Sequence, residues 1–114
     1  MIVPKRNPDV VWRLEKGLHE MAWDKARKGE EYEDLGVLTL MVKGGIHQLN
    51  LVGAEIWTRV NGIGTVKKIS SEVGKLFGWE DEETDEAVLE FLKGIAEQGW
   101  VTLKESEGRE AAPM

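Results

Sequence analysis

Gly36-Val37-Leu38-Thr39-Leu40-Met41-Val42-Lys43-Gly44-Gly45-Ile46-His47-Gln48-Leu49-Asn50 is the stretch on which the fold turns. Leu38, Leu40 and Val42 alternate with Thr39, Met41 and Lys43, the period of two expected of a strand with one buried face. Two adjacent glycines follow, and they can take the positive φ that a tight hairpin needs. Val37–Lys43 and Ile46–Leu49 are therefore predicted to pair antiparallel, with the Gly44-Gly45 turn setting their register.

Upstream, Pro4 to Pro8 reads as turn-forming. Val10, Trp12 and Leu14 then alternate with Val11, Arg13 and Glu15, which predicts another half-buried strand. Leu18, Met21, Ala22 and Lys25 recur at spacings of three and four, giving a short amphipathic helix or irregular arm over about 18–28, ahead of the charged stretch 27–34. Downstream, Asn50 is a suitable N-cap for a helix over about 51–60 whose apolar stripe is Val52, Ile56, Trp57 and Val60. Thr65 caps a second helix that buries Val66, Ile69, Val73, Leu76 and Phe77 and is closed by Gly78. Thr84 is expected to cap a third, with Val88, Phe91, Leu92, Ile95 and Ala96 inward and Gly99 at its end. Trp100 should fold back on its last turn, and Val101–Leu103 can add a short strand. These elements predict an α+β fold: a small winged-helix-like domain with a three-stranded antiparallel sheet followed by a three-helix bundle. One domain over 1–104 and a disordered tail over 105–114 are expected.

At 114 residues, 41% hydrophobic and 32% charged, the chain suffices for one modest core. Fifteen basic and 21 acidic residues give a net charge of −6, a poor surface for phosphates or an anionic membrane. With no cysteine, disulfides, thiolate nucleophiles and iron–sulfur clusters are excluded. No apolar run approaches the ~20 residues of a membrane span, and Met1–Pro8 lacks the apolar core of a signal peptide, so a cytoplasmic protein is expected.

Motifs that carry chemistry fail on inspection. Gly62-Ile63-Gly64-Thr65-Val66-Lys67 starts like a dinucleotide fingerprint, but Lys67 replaces the last glycine and a helix precedes it. Gly74-Lys75 resembles the end of a phosphate loop, yet Ile69 and Leu76 occupy the positions of the first glycine and the metal-binding hydroxyl. His19 and His47 have no ligand partners nearby in sequence and read as solvated or groove-lining. The acidic run from Glu80 to Glu83 lacks the spacing of a calcium loop and suits a helix entrance. No serine sits in a nucleophile elbow. Neither a catalytic set nor a cofactor or metal site is expected. Of the five tryptophans, Trp12 and Trp57 lie on apolar stripes, while Trp23 and Trp79 are candidates for a binding surface.

The element order resembles that of the winged-helix family of helix-turn-helix domains with its sheet moved to the front, so nucleic-acid binding is the alternative reading. Its test is local charge: nine acidic residues face two lysines between Glu72 and Gln98, a net of −7, where a groove-binding helix carries Arg or Lys. The feature left is the sheet edge at Ile46–Leu49, whose free backbone groups can accept an extended peptide or a second copy of the chain as a strand-swapped dimer.

His47-Gln48-Leu49-Asn50-Leu51-Val52-Gly53-Ala54-Glu55-Ile56-Trp57, then Asn61-Gly62, Thr65-Val66 and Ile69, then Phe91-Leu92 and Gly99-Trp100-Val101, closely resemble the PqqD-like family of peptide chaperones, also called RiPP recognition elements. The resemblance covers 36–101, and Trp12-Arg13 with Glu15 resembles the family's first strand. It implies a non-catalytic adaptor without cofactor. Such an adaptor binds the leader segment of a ribosomally made precursor peptide as an added strand between the third strand and third helix, and presents its core to a modifying enzyme. The implied edge is Ile46, His47, Gln48 and Leu49, and the implied helix positions, chosen by spacing, are Leu89, Leu92, Lys93 and Ala96. Lys16–Leu35 is longer than in typical members, resembling variants that serve a separate radical S-adenosylmethionine (SAM) maturase. The acidic third helix suits a basic or apolar leader.

The charge balance predicts no retention of duplex DNA at physiological ionic strength. A fluorescence-anisotropy titration showing binding that weakens steeply with salt would restore the winged-helix alternative.

Overall fold

The computed structural model describes residues 1–105, which form β1 (Ile2–Arg6), β2 (Val11–Leu14), α1 (Lys16–Arg27), β3 (Leu38–Val42), β4 (Gly45–Leu49), α2 (Leu51–Thr58), α3 (Val66–Phe77), α4 (Asp81–Glu97) and β5 (Val101–Glu105). The fold is α+β, and every strand pair is antiparallel. Two compact units divide the described residues: Pro8–Trp57, and Met1–Asn7 with the residues from Thr58 onward.

The Pro8–Trp57 unit contains the expected three-stranded sheet, in the order β2-β3-β4. Period-two patterning produces its two faces. Leu38 and Leu40 are fully buried, whereas Val11, Met41 and Ile46 on the opposite face are exposed. Val42 pairs with Gly45, so the hairpin turn is Lys43-Gly44. Only Gly44 takes a positive φ, of 96°. Gly45 is already strand, which shifts the predicted turn by one residue, because one left-handed position is enough to reverse the chain.

The helix after β2 forms as α1, and it is fastened within the same unit. His19 and Trp23, four residues apart and so on one helix face, both reach Oε2 of Glu55 in α2 at 2.9 Å, the Trp23 indole as donor. Glu55 is only 8% exposed, and a buried carboxylate requires such partners. His19 is thus a half-buried partner of Glu55 rather than solvated or groove-lining, and Trp23 is a structural donor. Asn50 caps α2 as expected, its Oδ1 accepting from the Gly53 N–H at 3.0 Å. Trp57 is fully buried and meets Trp12 edge to face, ring centres 6.3 Å apart.

In the other unit, β1 pairs with β5 along its whole length, Ile2 opposite Glu105 and Arg6 opposite Val101. This corrects the turn predicted from Pro4. In a two-stranded ribbon both strands are edges, and there proline's missing N–H is tolerated. Asn7 secures the exit from β1, its backbone N–H donating to Trp100 O at 2.8 Å and Nδ2 to Gly99 O at 2.9 Å. Thr65 caps α3 by accepting from the Lys68 N–H at 3.1 Å, and Gly78 ends it at φ 71°. The start of α4 also departs from expectation: Glu80 is the N-cap and the helix begins at Asp81. Thr84 lies inside the first turns, and its hydroxyl donates to Glu80 O at 2.7 Å instead of accepting an amide. The buried Thr84 faces Gly74, where an added Cβ would lie 3.2 Å from its Oγ1, so α3 and α4 cross closely there. Behind Gly99, at φ 84°, the Trp100 N–H donates to Ile95 O at 3.0 Å and its ring is buried. Ile69, Val73, Val88, Leu92, Ile95 and Val101 form the core of this unit. Glu105 ends β5, and the tail expected beyond it lies outside the described residues.

Leu92→Ala should lower unfolding free energy by about 2–5 kcal/mol. Leu76→Ala, on the exposed side of α3, should cost under about 1 kcal/mol. Urea unfolding followed by tryptophan fluorescence measures both.

Candidate functional site

Val42 and Gly45 face each other across a two-residue turn, so they are a hydrogen-bonded pair. Counting by two, so are Leu40 with His47 and Leu38 with Leu49. Just before β3, Val37 is shared between the neighbours: its C=O accepts from the Glu15 N–H at 2.7 Å, and its N–H donates to Leu49 O at 2.8 Å, which keeps the Leu49 carbonyl directed inward. Gly45, His47 and Leu49 therefore direct their backbone groups at β3. Ile46 and Gln48 direct theirs outward, and among the described residues β4 pairs with β3 alone. The outer edge thus offers two N–H donors and two C=O acceptors.

Side chains along this edge differ in availability. Ile46 is 70% exposed, His47 and Gln48 are exposed, and Leu49 is buried in the core. Gln48 lies over Gly36, where a Cβ would stand 2.5 Å from its Oε1, so glycine at 36 gives the Gln48 side chain its place. On the same face, Arg13, Thr39 and Gln48 share one cross-strand row. The Thr39 hydroxyl donates to Glu15 Oε2 at 2.7 Å, and Arg13 adds Nε and Nη2 at 3.2 and 3.1 Å. The Thr39 hydrogen bond, followed by Arg13, holds the Glu15 carboxyl below the usual carboxylate range.

The helix positions, taken on α4 by itself, are unequal. Leu92 is fully buried and has no surface to offer a ligand, contrary to the role implied for it by helical spacing; Ala96 is half-buried. Leu89 and Lys93 line a shallow depression of about 370 Å³, flanked by Glu86 and Glu90. Sequence reasoning missed a second hollow of about 420 Å³ around Asn61, Ile63 and Lys68, where Arg59 and Glu72 pair at 3.0 Å. Trp79 is 36% exposed and stacks on Phe77 with ring centres 4.8 Å apart. No helix among the described residues is long and apolar enough to cross a membrane.

An open antiparallel edge is the kind of surface to which an extended segment can add a strand. Residues 35–101 match the family model for coenzyme PQQ synthesis protein D (PqqD), more than half of the chain, and the chain belongs to that family. No curated protein sequence matches it. Among solved structures it is similar to the solution NMR structure of the PqqD truncation of Methylobacterium extorquens PqqCD, described as a functional, stand-alone RiPP recognition element. That likeness has a TM-score of 0.60 at 16% identity, covering 88% of each chain, and is one of fold.

Thr39→Val should raise the pKa of Glu15 toward its ordinary value, as read by an NMR pH titration. Because the folded-state value is depressed, the Glu15 contact adds stability above the ordinary carboxylate range and loses it as pH falls through the folded value. The variant should lose part of that acid-sensitive component.

Proposed function

We propose that this protein is a non-catalytic, cytoplasmic recognition element that binds the leader segment of a ribosomally made precursor peptide and presents its core to a radical SAM modifying enzyme. The observation that carries the reading is the outward pair Ile46 and Gln48 on an edge strand of a PqqD-family chain. Strand addition satisfies two donors and two acceptors at once and demands little of the guest beyond an extended backbone. The description of the similar Methylobacterium structure as a RiPP recognition element supports the same assignment. Leu89 and Lys93 are the α4 residues we assign to guest contact, with Ala96 beside them and Leu92 supporting them from the core. A second copy of the chain is the competing occupant of the edge, and it would be displaced by the leader.

Gln48→Pro tests the edge. It deletes an outward donor while leaving the ladder to β3 intact, since Gln48 spends no N–H on that side. Calorimetry with the precursor encoded beside the gene should show affinity falling about 10-fold or more, with an unchanged helical circular dichroism spectrum. Unchanged affinity would sink the assignment of this edge.

A further inference from the structure

Three large apolar side chains lie exposed in one cross-strand row of the β2-β3-β4 sheet. Val11 stands opposite Met41, and Met41 opposite Ile46, with exposures of 57%, 41% and 70%. Directly opposed residues of antiparallel strands share a face and touch through their side chains. Ile46, the outermost, has such a neighbour on one side only. The adjoining row, Arg13, Thr39 and Gln48, is polar.

From these rows we infer the sequence that the guest must carry, an inference that rests on the strand addition proposed above. The docking segment has an aliphatic residue in register with Ile46 and a polar residue two positions away, in register with Gln48. Any strand added to β4 places the residue beside Ile46 on the same face as Val11 and Met41. An aliphatic side chain there covers Ile46 from its open side and extends the row to four. An acidic one would lose water against an apolar row, on a chain of net charge −6 that offers it no compensating cation in that row. Backbone hydrogen bonds are common to every extended peptide, so these two registers separate one leader from another. Among the described residues β4 is the last strand of its sheet, so no strand lies on the open flank of Ile46.

The experiment is selection of phage-displayed random peptides on the full chain, comparing wild type, Ile46→Lys and Gln48→Pro. Ile46 is mostly exposed, so Ile46→Lys keeps the core, as circular dichroism checks. Wild type should enrich peptides with an aliphatic residue at one fixed position and a polar residue two away. Ile46→Lys should switch that position to Asp or Glu, and it should bind the wild-type-selected peptides about 3- to 10-fold more weakly. Gln48→Pro should retain none of them. If wild type and Ile46→Lys enrich the same sequences while Gln48→Pro binds nothing, the register inference fails and strand addition stands. If Gln48→Pro holds the selected peptides as well as wild type does, or if wild type enriches none, strand addition fails and takes the inference with it.

Discussion

The alternation of backbone direction along β3 governs what the rest of the sheet can do. A middle strand divides its hydrogen-bonding groups between two neighbours, residue by residue. Here, from Leu38 to Val42, the even positions serve β4, as the Val42–Gly45 pair requires, and the odd ones β2; only at Val37, just before the strand, are the groups split, its C=O accepting from Glu15 and its N–H donating to Leu49 O. Outward presentation of Ile46 and Gln48 follows from that assignment with no further freedom. A slip of β4 by one residue would turn His47 outward and would also carry the buried Leu49 to the solvent face. Burying such a side chain contributes about 1.5–3 kcal/mol. Core burial on one face thus locks which backbone groups the edge can offer.

The stretch between β2 and β3 adds a second constraint. Glu55 sits in α2 directly between Ala54 and Ile56, both buried, and its carboxylate is nearly out of solvent. Alone it would be costly. His19 and Trp23 on α1 converge on a single oxygen of it, so α1 and α2 are joined by polar contacts of fixed direction. Deleting either donor leaves the carboxylate underserved, which makes the extra helix a structural part of its unit.

Local chemistry was legible in the sequence, and distant partnerships were not. Asn50, Thr65 and Gly78 act within three or four residues of themselves, so a capping rule read off the chain finds them. The β3–β4 hairpin was visible for the same reason, apart from the one-residue shift at Gly45. Thr84 was misplaced because a threonine hydroxyl can accept an amide as a cap or donate to the carbonyl four residues back, and buried surroundings favour the second. β1 was hidden because its partner lies almost at the other end of the chain and because proline argues against a strand until one knows that the strand is an edge. The partnership of His19 and Trp23 with Glu55 spans more than thirty residues and has no local signature. At the candidate site, the segment Ile46–Leu49 was legible from resemblance and alternation. Which of its residues face outward required the turn to be fixed to one position, and the burial of Leu92 required the helix to be placed on its core.

The modest size of the edge determines where discrimination must come from. Two outward residues allow four ladder hydrogen bonds, worth about 0.5–1.5 kcal/mol each after the exchange with water, or about 2–6 kcal/mol together. A micromolar complex needs about 8 kcal/mol, and ordering an extended peptide adds to that requirement. Backbone pairing on five residues of β4 therefore falls short of useful affinity even at its most favourable. In the proposed complex the remainder would come from side chains meeting the apolar row of Val11, Met41 and Ile46. Those contacts, unlike the ladder, depend on the guest's sequence. Strand addition at an edge this short, as proposed, would be selective because it is weak: a guest lacking the matching side chains would gain too little from its backbone to remain bound.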